Sequence, residues 1–180
     1  MLFVKFENFV HLISDFLGKV AAIILILLLF NVFYDVIMRY LFNDVSIGMQ
    51  ELEWHLYSAV FLLGIPYALR HNGHVRVDLF YEKGSLKTKA WIDLFGVIIF
   101  LLPFTLLVGY YGLSFVAESY DMGEQSGDPG GLPYRWLIKA VIPVAFFSIA
   151  ISGLGMILHS INTIRGFHKD DGSDNVSRVA

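Results

Sequence analysis

The dominant pattern along the chain is four long stretches that contain no Asp, Glu, Lys or Arg. They cover residues 20–34, 54–69, 94–117 and 140–164. The last two reach the roughly 20 apolar residues that a helix needs to cross a bilayer core. The first two become long enough if Lys19 extends its stem to the inner interface and if the second helix begins near Gln50. The pattern predicts transmembrane helices at about 18–41, 50–69, 86–117 and 134–164, with kinks at Pro66, Pro103 and Pro143.

The first seventeen residues have a different, amphipathic pattern. One face carries the apolar residues Leu2, Phe3, Phe6, Phe9, Val10, Ile13, Phe16 and Leu17, and the other carries Lys5, Glu7, Asn8, His11 and Asp15. This spacing is typical of a helix that lies in the membrane interface. A cleaved signal peptide is the alternative, but the apolar run comes late and no small-residue cleavage site follows it. We therefore predict an interfacial helix over 1–17, a four-helix domain over 18–164 and a polar cytoplasmic tail over 165–180.

Composition agrees with an all-α integral membrane protein. Hydrophobic residues make up 56% of the chain and charged residues 16%, whereas soluble proteins have roughly 25% charged residues. The net charge of -3 provides no basic excess for nucleic acid. The absence of cysteine excludes disulfides and thiolate ligands within this chain.

The distribution of lysine and arginine predicts the orientation. Ten of the 13 lie in the N-terminal segment, in the second loop and in the tail. The other three, Arg39, Arg135 and Lys139, lie at the opposite helix ends. Because positive residues concentrate on the cytoplasmic side, both termini and the second loop are predicted to be cytoplasmic, with the first and third loops outside.

Two groups of residues within the predicted helices are candidates for helix packing or for contact with another subunit. Asn31, Asp35 and Arg39 share one face of the first helix, where Asp35 and Arg39 are spaced for an ion pair. Ionisable residues in a membrane suggest function, but near a helix end, where burial costs less, the pattern favours a structural contact with another helix. Ala145, Ser148, Ser152 and Gly155 form a small-residue stripe on the fourth helix, which allows close approach of another helix.

The histidines do not form a convincing metal or haem site. His71 and His74 lack a third ligand of matching pattern. His55 lies near the outer end of the second helix and His159 near the inner end of the fourth, so one haem iron cannot reach both. We therefore expect neither a metal nor a cofactor. No acidic residue falls in the middle third of a predicted helix, where a proton- or sodium-coupled carrier usually needs polar groups.

Four segments together resemble a known family. They are 31–42, with Arg39-Tyr40; Glu51-Leu52-Glu53-Trp54; 64–78, which ends in Asn72-Gly73-His74-Val75-Arg76-Val77-Asp78; and Leu132-Pro133-Tyr134-Arg135-Trp136, followed by Lys139 and Ile142-Pro143. In order and spacing the chain resembles the small membrane subunit (DctQ-like, or Q subunit) of tripartite ATP-independent periplasmic (TRAP) transporters. The resemblance covers roughly residues 31–164, and it identifies Gly73, His74, Arg76 and Asp78 as a family motif in the cytoplasmic loop.

The resemblance implies an accessory subunit in the bacterial inner membrane, and not an enzyme. Its partners would be a large permease (M) subunit, which carries the substrate and sodium sites, a periplasmic binding protein that delivers an organic acid, and membrane lipids. We predict that the binding protein docks on charged residues of the outer face: Arg39, Asp44, Glu51, Glu53, Glu124 and Asp128. Two alternatives remain: a small homodimeric transporter that uses Asp35, and a membrane anchor of a redox enzyme.

Overall fold

The computed structural model describes residues 2–71 and 84–166, with side chains from Phe9 onward except that of His11. The described residues form α-helices, with loops at residues 42–46 and 122–135. The elements are α1 (Leu2–Leu41), α2 (Ile47–Arg70), α3 (Leu86–Gly96), a π-helical turn (Val97–Leu101), α4 (Leu102–Asp121) and α5 (Trp136–Ile164). This all-helical architecture agrees with the charge-free stretches, because a helix satisfies its own backbone groups in lipid.

Helix α1 is one uninterrupted helix of 40 residues, where the sequence predicts an interfacial helix followed by a membrane span. No helix end marks the predicted boundary at residue 17. Val10, Ser14 and Leu17 are buried against the rest of the chain, whereas Phe9, Leu12 and Phe16 are exposed. The part of α1 from Val10 onward therefore packs along the bundle. The interfacial position of residues 1–17 stays a prediction.

Helices α3 and α4 are joined into one continuous rod by the π-helical turn that ends just before Pro103. The N–H of Leu102 donates to the carbonyl of Val97, five residues earlier. Proline has no N–H and its ring crowds the preceding turn, so a wider turn at this point lets the helix continue. The helix also continues through Pro66 in α2 and Pro143 in α5.

Helix α5 is the central helix of the described part. It packs against α1, α2, α3 and α4, and α1 also packs along α2. Its buried residues are mostly small, including Ala145, Ala150, Ser152 and Gly153. Such residues allow helices to approach closely in lipid, where no hydrophobic force draws them together. The bundle therefore has α1 and α2 as one pair and α3–α4 as another, with α5 in contact with both.

Among the residues that the structure describes, three helical segments are long and apolar enough to span a membrane: Leu12–Leu41, Leu86–Asp121 and Trp136–Ile164. Helix α2 has 24 residues but is more polar. Large apolar side chains are exposed along the sides of the bundle, for example Phe30 and Phe33 on α1 and Phe104 and Leu107 on α4. An apolar surface of this kind is the surface that a bilayer or a membrane partner covers.

Candidate functional site

The loop between α4 and α5, residues 122–135, folds back on itself at the end of the bundle that the lysine and arginine distribution predicts to face outward. We call this end the outer end, the opposite end the inner end, and residues 122–135 the outer loop. The N–H of Ser126 donates to the carbonyl of Leu132 at 3.0 Å, and the N–H of Arg135 donates to the carbonyl of Glu124 at 3.1 Å. Gly130 and Tyr134 have positive φ angles of 82° and 60°. The angle at Tyr134 is uncommon for a residue with a side chain and persists only where the surroundings hold it. The outer loop is therefore an ordered structure.

Glu51 attaches the outer loop to α2. Its Oε1 atom accepts a hydrogen bond from the Ser126 hydroxyl, and its Oε2 atom accepts one from the backbone N–H of Leu132 at 2.7 Å. The residue is 8% exposed. Both oxygens of this carboxylate are thus used within the chain. Glu51 belongs to the predicted docking set, and the structure places it beneath the loop.

A second attachment joins the outer loop to α5. The Lys139 ammonium forms an ion pair with Glu124 and lies 4.0 Å from the centre of the Phe115 ring on α4. The Lys139 ammonium holds the pKa of the Glu124 carboxyl below its usual value. Lys139 therefore connects α4, α5 and the outer loop through one cation.

The other predicted docking residues lie nearer to solvent. Asp44 and Asp128 are exposed, and Glu53 is half-buried. The Arg39 side chain is 42% exposed and donates to the Asp35 carboxylate one helical turn earlier. Three acidic residues of the predicted docking set have no side-chain hydrogen bond or ion pair within the described structure. They are Asp44, Glu53 and Asp128. Their contact with a binding protein stays a prediction.

Asn31 and Asp35 are buried at the contact between α1 and α2. The Asn31 side-chain amide donates to the carbonyl of Met49 in the first turn of α2, at 3.0 Å. Asp35 is 5% exposed and is paired with Arg39. The Asn31 hydrogen bond fixes the outer ends of α1 and α2 relative to each other. The negative charge of Asp35, the residue that the homodimeric-transporter alternative requires, is paired with Arg39.

The small-residue stripe of α5 packs inside the chain. The Ser152 hydroxyl lies 3.1 Å from the Ser14 hydroxyl of α1. A Cβ atom at Gly155 would lie 3.2 Å from Val10 Cγ1. Ala145 is fully buried and Ser148 is 8% exposed. The structure therefore places all four stripe residues near α1 or in the core, and it assigns none of them to an outer surface.

Sequence reasoning missed the stripe on α4 that meets α5. Thr105, Gly109 and Gly112 are buried at a spacing of four and three residues. A Cβ atom at Gly109 would lie 3.0 Å from the Phe147 ring, and one at Gly112 would lie 3.3 Å from Pro143 Cδ. The signal was available, because small residues at this spacing are the same pattern that marks α5.

A contact at the inner end of the bundle was missed as well. Asp15 of α1 forms an ion pair with Arg70 at the end of α2, and His71 Nε2 lies 3.8 Å from the same carboxylate. One turn after Asp15, Gly18 lies against the Tyr67 ring. A Cβ atom at Gly18 would lie 2.5 Å from Tyr67 Cδ2. The sequence could not show this contact, since 55 residues separate Asp15 from Arg70.

Several predicted residues lie outside the described residues, namely His74 and the family-motif residues Gly73, Arg76 and Asp78. Within residues 2–71 and 84–166, no group of three or more His, Asp or Glu side chains is arranged to hold a metal ion. His55 lies in the outer half of α2 and His159 near the inner end of α5.

These features define a helical membrane protein with an ordered loop at its predicted outer end. Comparison with known proteins identifies the family: residues 28–163 match the DctQ component of tripartite ATP-independent periplasmic transporters. The chain belongs to this family. It is also 26% identical over 160 residues to the small permease protein TeaB of an ectoine TRAP transporter from Halomonas elongata. That alignment covers 84% of this chain and 78% of the relative.

Proposed function

We propose that the chain is the small permease subunit of a sodium-driven TRAP transporter for an organic acid. In this role it anchors the large permease subunit in the inner membrane and provides part of the surface on which a periplasmic binding protein docks. The observation that carries the proposal is the family match over residues 28–163. The relative's transporter is named for ectoine, and that substrate is a property of the relative. We therefore include ectoine beside organic acids among the solutes to be tested.

The buried charges of the chain support an accessory role. Among the described residues, two carboxylates are buried, Asp35 and Glu51. Both lie at outer helix ends, and both are occupied by partners within the chain. A sodium-coupled site usually needs polar groups near the middle of the membrane. The coupled step therefore belongs to the large subunit in this proposal.

We further propose that α2 is a fourth membrane span. At 1.5 Å per residue, its 24 residues extend about 36 Å, which exceeds the roughly 30 Å hydrocarbon core. It packs along α1 and α5, both of which contain apolar spans. An even number of spans places both termini on one side, and the positive residues favour the cytoplasmic side.

The topology is testable because the chain has no cysteine. Single cysteines at Asn43 and Arg165 would be labelled in intact spheroplasts with a membrane-impermeant maleimide. We expect labelling at position 43 and protection at position 165 until the membrane is opened. Labelling of both positions in sealed spheroplasts would contradict the four-span topology.

Co-purification tests the subunit role. The tagged chain would be expressed alone and together with the adjacent genes of its operon, and then purified in mild detergent. We expect a large polytopic protein to co-elute in equal amounts, and we expect transport in proteoliposomes only when both subunits and the binding protein are present. Full transport by this chain alone would overturn the proposal.

Docking is tested by charge reversal on the exposed acids. Asp44→Lys and Asp128→Lys should raise the concentration of binding protein that gives half-maximal transport, and the effect should diminish as salt screens the charges. Unchanged half-saturation in both variants would remove these residues from the docking surface.

A further inference from the structure

We infer that Glu51 is a positioning residue, which holds the outer loop in the shape that the binding protein recognises, and that it does not itself contact the partner. This inference rests on the docking role proposed above. The carboxylate is 8% exposed and both of its oxygens accept hydrogen bonds from the loop. An acidic side chain in this position is shielded from a protein that approaches from outside.

The close fit between α2 and the outer loop is an independent observation. A Cβ atom at Gly48, in the first turn of α2, would lie 3.0 Å from the carbonyl oxygen of Gly130. A Cβ atom at Gly131 would collide with the Ser126 side chain and would lie 2.9 Å from Glu51 Oε2. Glycine at these two positions lets the loop backbone lie directly on α2, within reach of the carboxylate.

The loop held in this way presents a defined surface to the outside. Gln125, Asp128, Pro129 and Tyr134 are exposed. The positive φ of Tyr134 shows that the backbone on the α5 side of the loop is constrained. A surface ordered before binding loses less conformational entropy when its partner docks. The partner that fits is a soluble protein face with basic groups opposite Asp44 and Asp128.

The chain offers matched variants for the test. Glu51→Gln removes one of the two acceptors and turns an N–H₂ donor toward a loop donor. Glu53→Gln makes the same change of charge two residues along the helix, on a half-buried side chain. Gly131→Val should displace the loop without a change of charge, whereas Gly127→Ala adds a methyl group where no atom lies within 4 Å.

The measurement is transport by the complete complex in proteoliposomes as a function of binding-protein concentration, at several salt concentrations. Glu51→Gln and Gly131→Val should each raise the half-saturating concentration roughly three- to tenfold, because loop ordering must then accompany docking. The maximal rate and the salt slope should stay those of the parent complex, while Glu51→Asp recovers part of the affinity. Glu53→Gln should lower the salt slope with little change in loop order, and Gly127→Ala should change neither quantity.

Hydrogen exchange at the Leu132 amide separates the possible failures. In the structure of the chain this N–H donates to Glu51, so Glu51→Gln should increase its exchange in the complex. If Glu51→Gln lowers the salt slope as Glu53→Gln does, Glu51 is a direct contact and the positioning role is wrong. If faster exchange leaves half-saturation unchanged while Asp128→Lys raises it, the positioning role alone fails. If no outer variant alters half-saturation, the docking proposal fails, and the inference fails with it.

Discussion

The contact between α4 and α5 predicts a strong, position-specific effect of added volume at Gly112. A Cβ atom there would lie 3.3 Å from Pro143 Cδ and 3.5 Å from Ile142 Cγ2, so the first added carbon already fills the space. Gly112→Leu adds three more carbons against a rigid proline ring in the central helix. Overpacking of a close-packed contact costs about 1–3 kcal/mol. Gly112→Ala should cost less, because its one carbon requires a shift of only a few tenths of an ångström.

The matched control is Gly96, which lies earlier in the same continuous rod and has no atom within 4 Å of an added Cβ. Gly96→Leu should change the free energy of unfolding by less than about 0.5 kcal/mol. The assay is SDS-induced unfolding in mixed micelles followed by tryptophan fluorescence, since Trp136 of α5 lies 5.5 Å from the Tyr120 ring at the end of α4. Equal unfolding free energies for Gly112→Leu and Gly96→Leu would refute the close approach of α4 and α5.

Three further predictions concern the polar contacts. Ser14→Ala removes the hydroxyl contact with Ser152 and should lower the free energy of unfolding by about 0.6 kcal/mol, the average for hydroxyl and amide contacts between membrane helices. Asp15→Asn should lower the free energy of unfolding only slightly, because its ion pair with Arg70 is partly exposed and screened by solvent. High salt should reduce that difference, and an unfolding titration checks both variants. The lowered pKa of Glu124 means that its pairing with Lys139 stabilises the loop above the ordinary glutamate value of 4.5 and is lost as the pH falls through the lowered pKa. A spin label at Gln125→Cys should become more mobile over that acid range, and Lys139→Met should remove the pH dependence.

The sequence predicts those parts of the fold that follow from the requirements of a lipid bilayer. Charge-free stretches in lipid adopt helices because no other local structure satisfies the backbone. Residues 94–117 and 140–164 accordingly lie within the apolar spans Leu86–Asp121 and Trp136–Ile164. The amphipathic pattern of residues 1–17 is less decisive. An apolar face suits lipid and helix packing equally. The contacts of Ser14 with Ser152 and of Val10 with Gly155 show that this part of α1 packs on α5.

The candidate site depends on contacts that lie far apart in sequence. Charge patterning places Glu51 and Glu53 together at the outer end of α2, and nothing in the pattern distinguishes them. The distinction arises because Ser126 and Leu132, 75 and 81 residues away, return to donate to Glu51. Glycine at 131 permits that return, but a glycine-rich loop in a sequence indicates a turn without indicating what the turn packs against.

The polar contacts have a common arrangement that bears on mechanism. At the outer end, Asn31 ties α1 to α2, Glu51 ties α2 to the outer loop, and Lys139 ties that loop to α4 and α5. At the inner end, Asp15 ties α1 to α2, and between the two ends the helices approach through small residues on α4 and α5. A helix pair that slides or opens during transport would have to break these contacts together, and a close-packed interface resists gradual deformation. The arrangement therefore favours a body that keeps one shape, as the proposed anchoring of the large permease subunit requires.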